Sequence, residues 1–408
     1  MDDERTQASY KPKARGKLLM EITAISGEFP AVNIPRLIPA QSYAKKVISN
    51  LISDNLIKQV SAGGLKGYRL TSKGKRSLIA DNSARFTGFF QGTAETNKMR
   101  SGYERRLRLH SLAEVCLLMI GADVEIFADV KPKVFMPNEQ PIPSQPYNGS
   151  SEGGKPPKMN NPAMQGNPNQ YAPVLITNPC FYTSREQKGQ DDNTTRGSRA
   201  VGTLLTPTHV YAVYNTGYVE SRWSEKIEQR FKAEIQDYIC RKLLFHQYQG
   251  ETVNGIMMGA DMETLERYLA AKEKQQTAYH FLTKVFKSFY YITNDSHGKA
   301  QLRLLCDTEK ITGFKNILTK GLCPPDIKHP IEHDALTKDG NPVLFCCLLD
   351  IPRLIRFRSG AALHGKVGKV IAFDFQVEML GRYLGDTADF VDVSFDKFAR
   401  RFMKKLDE

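Results

Sequence analysis

The sequence predicts a chain of the mixed α+β or α/β class, in which a small N-terminal unit of helices and one hairpin precedes a larger α/β region. Its 408 residues, 41% hydrophobic and 25% charged, suffice for two or three globular domains. Near the N-terminus, apolar side chains recur at helical spacing and then alternate on both sides of a Gly-Gly pair. Beyond residue 200, apolar runs typical of strands alternate with amphipathic helical segments.

The N-terminal unit is predicted to be a winged helix-turn-helix spanning residues 17–82. Three helical runs are expected at residues 17–25, 34–38 and 40–53. Two short alternating segments then flank Gly63 and Gly64, which predicts a tight hairpin, and Thr71 or Ser72 caps a last helix. The order of three helices and a hairpin is the basis of the prediction.

Positive charge is concentrated in the same part of the chain. Residues 1–80 contain 14 Lys and Arg against 6 Asp and Glu, and residues 81–110 contain 6 against 3. Most of the formal net charge of +13 therefore belongs to the first quarter of the sequence. Such a surface favours a polyanionic partner, and double-stranded DNA is the natural one for a winged helix. Residues 1–16 are predicted to form a basic tail, and a role of this charge in solubility alone is the simpler alternative.

In a DNA-binding winged helix, the third helix enters the major groove and the hairpin contacts phosphates. An arginine-rich stretch follows the unit, just before a helix expected to start at Ser111. Phosphate contact is the favoured role of these arginines, and internal ion pairing is the alternative. His110 is expected to cap or pack rather than to act chemically. The candidate DNA contacts are Gln41, Ser42, Lys45, Lys46, Ser49, Lys66, Arg69, Arg105, Arg106 and Arg108.

The rest of the chain is predicted to form an α/β domain at residues 83–250 and a second α/β domain at residues 251–408. The first contains a disordered insertion at 141–170, which is rich in Pro, Gly, Asn and Ser. Predicted strands are 130–135, 173–177, 201–205, 210–214, 254–258, 289–292, 301–305, 343–349 and 367–375, with 289–292 and 301–305 paired as a hairpin. Predicted helices are 223–243, 262–280, 309–318 and a closing helix from Ser394.

The motifs ERRLRLH and YRLT, together with a winged helix, an arginine-rich segment and a mixed α/β region, resemble the replication-relaxation proteins of plasmids and conjugative elements. The resemblance covers residues 17–245. It implies a degenerate core related to restriction-type nucleases, followed here by a C-terminal α/β extension. It also implies a role in plasmid replication, transfer or the control of transfer, with a second protein of the same element as a further candidate partner.

A nuclease of that type needs carboxylates for Mg²⁺ and a lysine on a central strand. The segment HVYAVYNTG lacks both, and Glu186-Gln187-Lys188 precedes Asp191 and Asp192 instead of following them. We therefore expect no catalysis, no cofactor and no metal. Two alternatives stay open: a metal-dependent nuclease with a displaced active site, and a protein-interaction module on a degenerate nuclease fold. A polar cluster is interpreted as a surface turn: Asp326, His329, Glu332, His333 and Asp334.

Two further observations concern the cellular location. The sequence begins MDDERTQASY, unlike a secretion signal, and the longest apolar runs are too short for a bilayer. The seven cysteines include no CxxC pair, which predicts buried free thiols. A cytoplasmic protein without a membrane partner is expected.

Overall fold

The computed structural model describes residues 14–90, 102–135, 174–187, 197–217, 224–271 and 284–403. These residues form a mixed α/β fold with three sheets of three, five and four strands. None of the helices in these ranges combines the length and the apolar character that crossing a bilayer requires. Predictions for residues 1–13, 136–173 and 272–283 lie outside the described ranges, including most of the tail, the insertion and the second half of helix 262–280. The last three residues of the predicted tail, 14–16, belong to the first helix.

The N-terminal unit contains the expected helices and hairpin. Its elements are α1 (Ala14–Ser26), β1 (Phe29–Pro30), α2 (Ile34–Leu37), α3 (Gln41–Ser53), β2 (Ile57–Ala62), β3 (Leu65–Leu70), α4 (Ser72–Asp81) and α5 (Ser83–Phe90). Strand β3 lies between β1 and β2, and both pairings are antiparallel. The helices place apolar residues at spacings of three and four on the side that faces the core.

Glycines fix the geometry of the hairpin and of the helix that follows it. Gly63 and Gly64 have φ of 59° and 77°, the positive values that a two-residue hairpin turn of type I′ requires. Thr71 caps α4, because its Oγ1 accepts a hydrogen bond of 3.1 Å from the backbone N–H of Gly74. A Cβ atom at Gly74 would collide with the carbonyl oxygen of Leu56. The packing of the first turn of α4 against Leu56 therefore depends on a residue without a side chain.

Helix α6 (Tyr103–Gly121) joins the N-terminal unit to the rest of the molecule. It starts eight residues before the predicted start at Ser111. One hydrophobic core runs from α1 and α3 through α6 to a face of the central sheet, and it includes Leu19, Leu51, Cys116 and Tyr211. The predicted boundary at residue 82 does not coincide with a break in this core.

The central sheet has five strands: β4 (Cys180–Thr183), β5 (Gly202–Leu205), β6 (Val210–Gly217), β7 (Asn254–Gly259) and β8 (Phe289–Thr293), in that spatial order. The first two pairings are antiparallel and the last two parallel. Helix α7 (Ser184–Gln187) follows β4, α8 (Glu225–Ile235) continues as a π-helix (Gln236–Leu243), and α9 (Met262–Ala271) follows β7. Because β6 and β7 pair directly, the predicted domain boundary at residue 250 is wrong: it cuts through one sheet.

The C-terminal part adds a four-stranded sheet with its own helices. Its elements are α10 (Ser296–Leu305), α11 (Thr308–Leu318), β9 (Ala335–Leu336), β10 (Pro342–Phe345), α12 (Ile351–His364), β11 (Gly368–Phe373), α13 (Asp374–Leu384), β12 (Ala388–Val393) and α14 (Phe395–Phe402). The spatial order is β12-β11-β10-β9, with β10, β11 and β12 parallel. A second core joins this sheet to the central one.

Three predicted strands in these regions are wrong, and a fourth is shorter than predicted. Residues 301–305 belong to helix α10 instead of a hairpin strand, because the carboxylate of Asp295 caps the helix by accepting hydrogen bonds from the N–H groups of His297 and Gly298. The segment 130–135 forms turns and irregular chain, and the described residues 174–177 are irregular too. Strand β10 also ends at Phe345, earlier than predicted.

The cysteines agree with the prediction of free thiols, and six of the seven are buried. Cys323 is the exposed one. Burial raises the pKa of the Cys116 thiol to about 12, which keeps it protonated and unreactive at neutral pH.

Candidate nucleic-acid interface

Helix α3 presents the polar face that the sequence predicts. Ala44, Val47 and Leu51 are buried, and they follow one another at helical spacings of three and four. The opposite face is exposed and carries Gln41, Ser42, Lys45, Lys46 and Ser49. No side chain caps the first turn of α3. This face combines amide, hydroxyl and ammonium donors.

The hairpin contributes one of its two predicted residues. Lys66 is exposed on β3, close to the turn. Arg69 is only 8% exposed, and its Nε and Nη2 atoms lie 2.8 and 2.7 Å from Oε2 of Glu28. The assignment of Arg69 to DNA contact is therefore corrected: its guanidinium group is an internal ion-pair partner.

The arginine cluster of α6 is divided between two faces of the helix. Arg105 and Arg108 are exposed, and they lie three residues apart on one face. Arg106 is 2% exposed and points into the protein, where its Nη2 atom lies 2.6 Å from Oε1 of Glu28. The assignment of Arg106 to DNA contact is corrected for the same reason as that of Arg69.

Glu28 is the centre of this buried arrangement. It lies between α1 and β1, is fully buried, and is in contact with cationic or imidazole groups from β3 and α6. Burial would raise the pKa of the Glu28 carboxyl, but hydrogen bonds from His110, Arg106 and Arg69 lower it to about 2. The carboxylate is therefore ionised throughout the physiological range. We refer to Glu28, Arg69, Arg106 and His110 as the Glu28 cluster.

His110 has the structural role that the sequence favoured. It is 8% exposed, and its Nε2 atom lies 2.8 Å from Oε1 of Glu28. His110 follows Arg106 by four residues, so both side chains lie on the same buried face of α6. The imidazole does not cap the helix, since α6 begins seven residues earlier at Tyr103.

Arg106 also fastens the hairpin turn to α6. Its Nη1 atom donates a hydrogen bond of 2.7 Å to the carbonyl of Ala62. Its Nη2 atom donates to the carbonyls of Val60 and Leu65 at 3.1 and 3.2 Å. Glu28 comes so close to the hairpin that a Cβ atom at Gly67 would collide with its carboxyl group. Three backbone carbonyls and one carboxylate thus satisfy a single buried guanidinium.

The residues considered for metal-dependent catalysis have other partners. Glu186 accepts hydrogen bonds of 2.7 Å from Nζ of Lys131 and from the N–H of Thr183. Lys188, Asp191 and Asp192 lie outside the described residues. On β6, Tyr211 and Val213 are buried.

Asn215, near the end of β6, has an amide side chain, and this amide contacts a carboxylate of α6. Its Nδ2 atom donates a hydrogen bond of 3.0 Å to Glu114, and Nδ2 of Asn33 in the N-terminal unit donates one of 3.2 Å to the same carboxylate. These amides join the N-terminal unit, α6 and the central sheet at one point.

The polar cluster near residue 330 is held by an arginine of α12. Arg353 lies 2.8 Å from Glu332 and 2.7 Å from Asp334. Within the described ranges, no three His, Cys, Asp or Glu side chains converge as metal ligands would. A cavity of about 620 Å³ beside this cluster is lined by the loop that contains His329 and His333 and by polar and apolar side chains of α12.

No family model, no curated protein and no solved structure matches this chain. The similarity to replication-relaxation proteins therefore stays a prediction from short motifs and the order of elements. What the chain binds has to be argued from its own surfaces.

Proposed function

We propose that this protein binds double-stranded DNA in a sequence-directed manner, through an N-terminal winged helix-turn-helix. In this proposal α3 is the recognition helix and the β2–β3 hairpin is the wing. The observation that carries it is the exposed face of α3, which combines Lys45 and Lys46 with Gln41, Ser42 and Ser49. The order of helices and strands in residues 14–81 supports the comparison with a winged helix.

The chemistry of the α3 face suits a DNA groove. Lys45 and Lys46 supply positive charge for phosphates or for the acceptors of guanine, and Gln41 is able to bond an adenine edge with its amide. Lys66 on the wing extends the positive surface. Neutralised phosphates release their bound cations, so binding through these lysines will depend strongly on salt.

We place this activity in a mobile genetic element, where the protein would act in plasmid replication, transfer or its control. The support is the resemblance of the motifs ERRLRLH, which lies on α6, and YRLT, which lies on the second strand of the wing and the N-cap of α4. The same resemblance assigns α6 and the central sheet to a degenerate nuclease-like core. Because β6 has neither a carboxylate nor a lysine, we favour a core that supports DNA binding over one that cleaves DNA.

The proposal is tested with the full chain and a fluorescently labelled duplex of random sequence, by anisotropy over a range of salt concentrations. Lys45→Glu with Lys46→Glu should abolish binding. In the matched control, Arg400→Glu with Arg401→Glu reverses the charge of an adjacent exposed pair on α14. This variant should bind as wild type does. Equal affinity of the Lys45/Lys46 variant and the wild type would remove α3 as the recognition helix. Selection from a random duplex pool then identifies the preferred sequence.

The full chain is needed for this experiment. A fragment of residues 1–82 would contain Glu28 and Arg69 but would lack Arg106 and His110, and it would expose the apolar face of α1 that packs on α6. Loss of binding by such a fragment would report on its folding and not on α3.

A further inference from the structure

The winged-helix proposal assigns no role to the two exposed arginines of α6. Arg105 and Arg108 are exposed on one face of α6, and within the described ranges no acidic side chain forms an ion pair with either. Two guanidinium groups one helical turn apart repel each other unless an anion meets them. Their planar forks match the oxygen pairs of a phosphate.

The first turns of α6 are attached to the tip of the wing. The guanidinium of Arg106 reaches the carbonyls of Val60, Ala62 and Leu65 around the hairpin turn. A Cβ atom built on Gly63 would lie 3.3 Å from Cδ2 of Tyr103, so the ring of Tyr103 rests against the turn itself. Arg105 and Arg108 are therefore held at a fixed place relative to the wing.

Lys66 adds to the positive charge beside α6. It is exposed on the wing, close to the turn whose carbonyls Arg106 holds, so it lies in the same part of the molecule as Arg105 and Arg108. A phosphate backbone is the kind of partner that neutralises such a group of charges.

We propose that α6 is a second DNA-contact element, in which Arg105 and Arg108 bind phosphates beside those reached by the wing. Arg106 is a positioning residue: it fixes α6 to the wing and does not itself contact DNA. This inference rests on the proposed function and extends the footprint beyond the winged helix, to a helix that belongs to the central core.

The experiment uses the full chain, a labelled random-sequence duplex and KCl as the varied salt. Arg105→Gln with Arg108→Gln should lower the slope of log K against log salt by nearly two, since each lost phosphate contact removes roughly 0.9. Between about 50 and 200 mM salt, the affinity of the variant should fall roughly tenfold less than that of wild type. Lys397→Gln with Arg400→Gln is the matched control, because these residues have the same three-residue spacing and are exposed on α14. The control should keep the wild-type slope.

The positioning role is tested by combining substitutions. Arg106→Lys keeps a charge but is too short and too narrow to reach all three carbonyls, so it should lower the salt slope in the wild-type background. In the Arg105/Arg108 variant it should lower the melting temperature without lowering the slope further. If Arg106→Lys fails to fold, Tyr103→Ala takes its place, since that change loosens the wing without removing a charge. An equal loss of slope in both backgrounds would show that Arg106 acts independently of Arg105 and Arg108, and an unchanged slope in both would make its role merely structural; either result overturns the positioning role.

The outcomes separate this inference from the proposed function. If Lys45→Glu with Lys46→Glu abolishes binding while the Arg105/Arg108 variant keeps the wild-type slope, α6 is not a contact element and its arginines face another partner. If wild type shows no salt-dependent binding, or the Lys45/Lys46 variant binds normally, the proposed function itself fails.

Discussion

Replacing Glu28 by glutamine should destabilise the protein by about 3 kcal/mol at neutral pH. The pKa of Glu28 is about 2 in the folded protein, against an ordinary value of 4.5. A difference of roughly 2.5 units corresponds to about 3 kcal/mol, at about 1.36 kcal/mol per unit. The carboxylate is fully buried and holds Arg69 and Arg106, so removing its charge takes away the carboxylate that these two buried cations share. Breaking a buried pair from one side typically costs a similar amount, about 3–5 kcal/mol.

The direction in which stability changes with pH follows from the lowered pKa of Glu28. A carboxyl whose pKa is lowered on folding stabilises the protein fully above its unfolded pKa of about 4.5. The contribution is lost as the pH falls from there toward 2. Wild type should therefore lose about 3 kcal/mol through Glu28 over this interval. The amide side chain in the Glu28→Gln variant does not titrate, so the variant lacks this part of the acid sensitivity.

The assay is urea unfolding, followed by far-ultraviolet circular dichroism at several pH values between about 7 and 3. The difference in unfolding free energy between wild type and Glu28→Gln should stay constant down to about pH 5 and then shrink as the pH falls toward 3. Glu104→Gln on the first turn of α6 is the matched control, because Glu104 is exposed and the change should be worth at most about 0.5 kcal/mol. Parallel curves for wild type and Glu28→Gln would refute the role of the Glu28 charge.

Two further predictions concern a backbone contact and catalysis. Gly74→Ala should destabilise the protein by more than about 2 kcal/mol in urea unfolding, because the new Cβ meets the carbonyl of Leu56. Gly88→Ala, in a helix with open space around it, should be neutral or stabilising by up to about 1 kcal/mol. With Mg²⁺ or Mn²⁺ the purified protein should leave supercoiled plasmid intact on an agarose gel. Cutting that disappears on Glu186→Ala would instead favour the displaced-site nuclease.

The N-terminal elements were predictable from the sequence because their signals are local. The apolar spacing of α3 and the pair Gly63-Gly64 each determine a conformation within a few residues. The exposed face of α3 follows directly from the buried positions of Ala44, Val47 and Leu51.

The Glu28 cluster could not be predicted in the same way. A single acid between Gly27 and Phe29 has no periodic pattern, and its partners are 41 to 82 residues away in the sequence. The burial of Arg106, unlike the exposed Arg105 and Arg108, could by contrast be predicted from the sequence. Arg106, His110 and Ala113 are spaced by four and three residues, so extending α6 back to Tyr103 would have placed Arg106 on the buried face.

The errors in the C-terminal half arose from ambiguous local signals. Asp295, Ser296 and Gly298 are typical of a turn as well as of a helix start, and only the hydrogen bonds to the Asp295 carboxylate decide between them. The predicted boundary near residue 250 separates β6 from β7, which are distant in sequence. Pairing of β6 with β7 across that distance is a tertiary event, and no local pattern reports it.

The continuous core between α3, α6 and the central sheet has a mechanical consequence. Many DNA-binding domains are joined to the rest of their protein by a flexible linker and rotate freely relative to it. Here side-chain packing and the amides of Asn33 and Asn215 on Glu114 set the angle between α3 and the sheet. A duplex held by α3 would therefore have a fixed direction relative to the central sheet and to anything docked on it. The protein would therefore set the orientation of its partners relative to each other as well as bring them close together.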